Sequence, residues 1–254
     1  DSPDESTLSD SLKLLQRVDR NRATAIGAPD LFWDGDAYYP SLVRDIARAR
    51  VYVHIQVYVW REDRRGREIL AHLCRAARRG VEVRVLLDEV GSVKTSRDFF
   101  KPLEKAGGIF HWSSTVQTRR SRFFFNLRNH RKLSLIDGTT AYIGGMNIGK
   151  EYAGKAIGPW QDLQLRFEGP AVRDLENSFA ADWAFATRER LDDPKYAPEI
   201  PPPDPAIPAV LVRTGPDRAN HSFLKIFGVL CMQARERLDI FTPYFVPNEH
   251  ILLT

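Results

Sequence analysis

Apolar and polar positions along this chain switch regularly between helical and extended spacing. Residues 8–20 read as a short amphipathic helix. Asp36 to Ala49 reads as a helix and Val51 to Trp60 as an apolar strand; Gly66 to Arg79 is a helix stopped by Gly80, and Val81 to Leu87 a buried strand. A further helix over about Thr95 to Ala106 leads through Gly107-Gly108 to a short strand at Ile109–Trp112. A hairpin follows, then a strand over Asp162–Phe167 and a long helix from Ala171 to about Arg188. Apolar strands alternating with helices predict an α/β protein, an α-β-α sandwich around a mixed, largely parallel central sheet.

Residues 192–208 break that rhythm. Pro194, Pro198, Pro201, Pro202, Pro203, Pro205 and Pro208 crowd a stretch that neither helix nor central strand tolerates, so it reads as a linker. Beyond it, Ala234-Arg235-Glu236-Arg237-Leu238-Asp239-Ile240 repeats the pattern of Ala47-Arg48-Ala49-Arg50-Val51-Tyr52-Val53. In both places a helix with a closing basic stretch feeds an apolar strand. The expected organisation is an N-terminal extension over 1–29, a first domain over 30–191, a linker over 192–208, and the truncated start of a second, similar domain over 209–254.

The chemistry concentrates in Asn129-His130-Arg131-Lys132-Leu133-Ser134-Leu135-Ile136-Asp137. His130 and Lys132 are two apart, so an extended strand points both to one face. The strand ends in Asp137-Gly138, a two-residue hairpin signal, and a second strand returns from Thr140 to Ile143. An imidazole beside an ammonium suits a phosphodiester: the lysine holds an anionic oxygen while the histidine attacks phosphorus or delivers a proton. Strict alternation puts Asp137 on the opposite face, at the turn, where its expected role is structural.

The spacing His-x-Lys-x4-Asp, followed by Gly144-Gly145-Met146-Asn147, resembles the phospholipase D superfamily. Arg128 to Lys132, Tyr142 to Gly149, Trp160-Gln161-Asp162, Phe167 to Val172, Asp182 to Thr187 and Phe241 to Pro247 are similar to its bacterial cardiolipin synthase branch. That resemblance implies catalysis through a phosphohistidine, with transfer of a phosphatidyl group from one phosphatidylglycerol to another and release of glycerol. It gives His130 the part of nucleophile or general acid and Lys132 that of phosphate clamp. Asp162 becomes the carboxylate that orients the imidazole, and Asn147, Gly145 and Arg128 lie against the phosphate. Gly144-Gly145 stands where many members have Gly-Ser, and Gln56 where the family often has an acid. Members are typically built from two similar halves, each with one motif. Because this chain holds a single His-x-Lys, a second motif is expected from a missing C-terminal half or from a homodimer.

Composition adds partners and removes decoys. Net charge is +4, but Arg119 to Lys132 carries six basic residues, no acid, and Phe123-Phe124-Phe125. That basic, aromatic run fits docking on anionic phospholipid at a membrane surface, or on a nucleic-acid backbone. Two rival readings therefore stand beside the transferase: a nucleic-acid phosphodiesterase of the same superfamily, and an inert module that binds anionic surfaces. The N-terminus is acidic and lacks a signal-peptide pattern, and no apolar run approaches a membrane span, so the expected location is cytoplasmic and membrane-associated. Cys74 and Cys231 show no metal or disulfide spacing and read as buried apolar residues. No metal and no cofactor are expected. Gly144 to Lys150 begins like a nucleotide phosphate loop, but Glu151 stands where a magnesium-binding hydroxyl belongs. His54 lies on the buried strand, lining a cleft or filling the core.

Overall fold

Local signals set most element boundaries in the computed structural model, which describes residues 22–113, 129–153, 160–213 and 222–240, with Leu12, Lys13 and Gln16. Short strands β1 (Thr24–Ile26) and β2 (Asp30–Phe32) precede helix α1 (Gly35–Arg48), whose N-cap Asp34 accepts the N–H of Ala37 at 2.8 Å. Strand β3 (Tyr52–Val57) leads to helix α2 (Arg64–Arg78), capped by Asp63 through the N–H of Gly66. Then come β4 (Glu82–Asp88), a 3-10 turn Arg97–Phe100 continuing into the short helix α3 (Lys101–Lys105), and β5 (Ile109–Ser113). The hairpin is β6 (Leu133–Ile136) and β7 (Thr140–Gly144). Strand β8 (Gln164–Glu168), helix α4 (Val172–Thr187), strand β9 (Ile207–Ala209) and helix α5 (Ser222–Gln233) complete the order.

Seven strands form one sheet in the order β2-β8-β7-β6-β3-β4-β5. Only β3-β4 and β4-β5 are parallel; β2-β8, β8-β7, β7-β6 and β6-β3 are antiparallel. The sheet is therefore mixed but not largely parallel, as the alternation had suggested. The cause is the hairpin: it inserts between β3 and the rest without a helical crossover, and everything beyond it meanders. Its turn is also longer than the Asp137-Gly138 signal implies. Ile136 pairs with Thr140, leaving a three-residue loop with Asp137 and Gly138 both at positive φ.

Layers follow from which face each strand residue takes. Val53, Ile55, Val57, Val83, Val85, Leu87 and Phe110 pack beneath α1, α2 and α3, against Leu42, Ile46, Ile69, Leu73 and Leu103. Leu86, Leu133, Leu135, Ala141 and Phe167 face α4, through Val172, Leu175, Phe179 and Trp183. Each fully buried side chain of this size contributes about 1.5–3 kcal/mol, so both covers are held chiefly by apolar burial. Cys74 lies in the first of these clusters; Cys231, in α5, is only half-buried, and both are free thiols.

The second face is less apolar than a core usually is. Tyr52, His54 and Gln56 on β3 and Arg84 on β4 point into the layer under α4, where Glu176 and Asp182 meet them. His54 is fully buried, stacks on Phe179 at 4.5 Å, and places Nδ1 3.1 Å from Glu176 Oε2. His54 is thus a core residue under α4.

The proline-rich stretch packs on the sheet. A 3-10 turn at Pro194–Tyr196 buries Tyr196 against Tyr52 and His54, and Ile207–Ala209 pairs antiparallel with β1. Residues 234–240 form no ladder, and the residues they are expected to feed lie outside the described ones. The shorter helix over 101–105 replaces much of the one expected over Thr95–Ala106, since residues 91–94 form turns and Arg97–Phe100 a 3-10 turn. Among the described residues, no helix is long and apolar enough to cross a membrane.

Candidate active site

Sheet registry brings one edge of the molecule together. Leu133 pairs with Gln56, so residues 130–132 lie beside the C-terminal end of β3. Leu133 also pairs with Ile143, and Gly144 with Gln164, which carries Gly145 and Asp162 to the same edge. His130, Lys132, Gly145 and Asp162 come from separated parts of the sequence and meet where four strands end or begin. Ladder pairing starts only at Leu133, so His130 and Lys132 stand in the segment leading into the strand and not within it.

Tyr58, the first residue past β3, is the floor on which both basic groups rest. The His130 ring stacks on it with centroids 3.8 Å apart and planes at 18°, while Lys132 Nζ lies 5.7 Å from the same ring centre. Lys132 Nζ also donates to the backbone carbonyl of His130 at 2.6 Å. Burial pulls the Lys132 pKa below its ordinary value, and the Asp162 carboxylate pulls it back up. The pair therefore shares one surface, with the ammonium between a carbonyl, an aromatic face and a carboxylate.

Gly145 explains how close Asp162 comes. A Cβ at this position would fall on the Asp162 carboxylate, so only glycine lets that side chain lie against the backbone. Asp162 Oδ1 accepts the N–H of Leu163 at 2.8 Å, and Gly145 N–H donates to Leu163 O at 2.9 Å, locking the two segments. Asp162 thus stands in electrostatic reach of Lys132.

Asn147 is placed behind this edge. Its Oδ1 accepts the N–H of Val59 at 2.8 Å and its Nδ2 donates to Tyr152 Oη at 2.9 Å, with the residue itself buried. In this arrangement the amide ties the end of β3 to the Gly144-Gly145 segment, and no phosphate contact is needed to account for its burial. Asp137 lies at the other end of β6, about 17 Å of extended chain away from Lys132. Its carboxylate accepts three backbone N–H groups, from Arg50, Val51 and Tyr52 at 2.8–2.9 Å, and so anchors the start of β3. Arg128, like the basic and aromatic run before it, lies outside the described residues. Among the described residues no three His, Cys, Asp or Glu side chains converge as a metal site.

Two residues at this edge escaped sequence reasoning. Tyr58 continues the alternation Tyr52, His54, Gln56 and so belongs to the same face, a signal that was readable. Asp182, on α4, accepts from Gln56 Nε2 at 2.8 Å, Asn129 Nδ2 at 2.6 Å and Arg131 Nη1 at 2.6 Å. Its sequence signals are its place in the family-like segment Asp182 to Thr187 and an acid beside the apolar stripe Leu175, Phe179, Trp183; neither shows what it binds.

Comparison with known proteins shows which family the chain is similar to. Residues 42–183, over half of the chain, match the family model described as cardiolipin synthase, PLD-like domain. The chain is 35% identical over 230 residues to the cardiolipin synthase of Clostridium perfringens (strain 13 / Type A), covering 88% of this chain and 48% of that protein. It is 34% identical over 227 residues to the major cardiolipin synthase ClsA of Bacillus subtilis (strain 168), covering 88% and 47%. The chain spans about half the length of the curated relatives it matches. Among solved structures, the phospholipase D family member Nuc from Salmonella typhimurium aligns with a TM-score of 0.50 at 16% identity, over 63% of this chain and 95% of that one. At that identity the likeness is one of fold.

Proposed function

This chain belongs to the cardiolipin synthase, PLD-like domain family, and on that footing we propose that it supplies one half of a phosphatidyltransferase site. The observation that carries this reading is the convergence of His130 and Lys132 on Tyr58, beside the Asp162 carboxylate, at an accessible edge. The family's relatives turn the general phosphodiester chemistry toward a glycerophospholipid.

In the proposed reaction an imidazole nitrogen attacks phosphorus, forming a P–N bond while the P–O bond to the departing glycerol breaks. A second imidazole delivers the proton that the glycerol oxygen takes. The acceptor hydroxyl of another phosphatidylglycerol then attacks, a P–O bond forms, the P–N bond breaks, and the hydroxyl proton returns to that second imidazole. His130 fills one of these two parts. Lys132 offsets the added negative charge on the equatorial oxygens, where fixed cations at a half-buried edge act strongly. The second imidazole is proposed to come from another His-x-Lys motif, in a homologous half or a second copy of the chain, since residues 1–254 contain one. Association with an anionic membrane surface completes the proposal, because the substrate resides there.

Full-length polypeptide, given labelled phosphatidylglycerol in vesicles and separately labelled single-stranded DNA, tests the substrate class. Release of glycerol with formation of a diphosphatidylglycerol product carrying four acyl chains is the expected result. Cleavage of DNA with no lipid turnover would replace this reading with a nucleic-acid phosphodiesterase, and vesicle binding without turnover of either would replace it with an inert module.

A further inference from the structure

His130 precedes the first ladder residue of its strand, so interstrand pairing does not fix its backbone. Its flanks are held instead. Asn129 Oδ1 accepts the N–H of Arg131 at 3.0 Å, closing a tight loop around His130. Asn129 Nδ2 and Arg131 Nη1 then both donate to the Asp182 carboxylate, at 2.6 Å each. Asp182 is in turn held from below by Gln56 Nε2 at 2.8 Å, a residue 3% exposed on the central strand. Side chains on both sides of His130 are therefore tied to one helix residue, which is itself tied to the sheet.

We infer that Asp182 is a positioning residue: acting through Asn129 and Arg131, it sets the place of the His130 imidazole and its electrostatic surroundings. Exposed ion pairs are usually worth under about 1 kcal/mol, and a lone surface pair would not support such a role. Here the Asp182 and Arg131 side chains are 19% and 23% exposed, and three donors share one carboxylate. The charge also matters. Asp182 neutralises the guanidinium of Arg131, the residue that follows the histidine; without it, an uncompensated cation flanks His130 and disfavours an imidazolium there. A neutral Gln56 fits this arrangement, since a carboxylate at that position would meet Asp182 at hydrogen-bond distance and repel it.

The inference rests on the proposed transferase reading, and the experiment separates the two. Full-length Asp182→Asn, Asn129→Ala and His130→Ala proteins are assayed with phosphatidylglycerol vesicles across pH, alongside thermal unfolding. Asp182→Asn is expected to lower kcat by about ten- to a hundredfold with KM changed less than about threefold, the scale of a small misplacement of a reacting group. The limb of its kcat/KM profile that reports His130 moves to lower pH: the acid limb if this imidazole attacks, the basic limb if it delivers the proton. A merely structural role would lower the yield of folded protein and leave that limb in place. Asn129→Ala, which keeps the Asp182–Arg131 pair, is expected to lose several-fold in kcat, about a hydrogen bond's worth, without loss of fold. Unchanged kcat and an unmoved limb in folded Asp182→Asn overturn the inference; if that variant does not fold, unchanged kcat in Asn129→Ala overturns it. Full turnover by His130→Ala removes the site reading itself, whereas an inactive His130→Ala beside a fully active Asp182→Asn removes only the role of Asp182.

Discussion

The imidazole of His130 lies face to face on the ring of Tyr58, 3.8 Å away, and Lys132 Nζ sits over the same ring. One aromatic side chain thus sets the position of both groups that would meet a phosphate. Replacing Tyr58 by Phe keeps that surface and is expected to retain activity within about threefold, whereas Tyr58→Ala removes it and lowers kcat by about tenfold or more. Steady-state turnover of the two variants checks this. Equal losses would show that the hydroxyl, not the ring, carries the effect.

Gly145 gives a test of opposite intuition. A serine there adds a hydroxyl near the expected phosphate, yet its Cβ would occupy the space of the Asp162 carboxylate. Gly145→Ser and Gly145→Ala are both expected to displace Asp162 and lower turnover by about tenfold or more, the serine variant gaining nothing over alanine. Turnover in Gly145→Ser at or above the parent level would show that the contact with Asp162 is dispensable.

Asp137 separates stability from chemistry. Its carboxylate binds three backbone N–H groups at the start of β3, and its φ is 53°. Asp137→Ala is expected to destabilise the protein by about 2–3 kcal/mol, through lost charge-assisted hydrogen bonds and a left-handed backbone that alanine disfavours. Asp137→Asn, which tolerates that φ and keeps one acceptor, loses less. Denaturant midpoints measure the ranking, and activity per folded molecule stays near the parent value because the turn and His130 lie at opposite ends of β6.

His54 predicts a pH dependence of stability. Burial holds its pKa below the ordinary 6.5; the Glu176 hydrogen bond and charge oppose this, and Arg84 and Lys195 reinforce it. The unfolded chain therefore takes up this proton at higher pH than the folded one. Stability from the neutral ring is fully present above the unfolded value and is lost as pH falls from about 6.5 through the folded value, by at most about 1.4 kcal/mol per pH unit. Denaturant midpoints between pH 8 and pH 5 show the decline, and His54→Gln flattens it. A decline of equal slope in His54→Gln would assign it to other groups.

Much of the frame was legible because the signals are local. The spacing through α1, β3, α2 and β4 depends on apolar periodicity and on the cap residues Asp34 and Asp63, all contiguous in sequence. Strand direction is not local: nothing in Leu133–Ile136 states that it pairs antiparallel with β3, and a sheet expected to be largely parallel has an antiparallel majority of pairs. The three-residue strands β1, β2 and β9 are too short for a period to show. At the site, His130 and Lys132 were legible from their two-residue spacing, and Asp162 came from resemblance. Asp182 lay some fifty residues away on a helix face, inside a family-like segment that gave it no role, and its three converging donors show what it does in the fold. Asn147, an amide near a glycine pair that reads as a phosphate donor, also has a bracing part that the sequence does not show: its Oδ1 and Nδ2 hold Val59 and Tyr152.

The central claim is that His130 and Lys132 act together on a phosphodiester. It is tested most directly by the turnover of full-length His130→Ala and Lys132→Ala proteins on phosphatidylglycerol vesicles, each confirmed folded by its unfolding midpoint. The account predicts that either substitution lowers the rate by about a thousandfold or more, as expected when a nucleophile or a transition-state cation is removed. Turnover within a few-fold of the parent in either folded variant contradicts it.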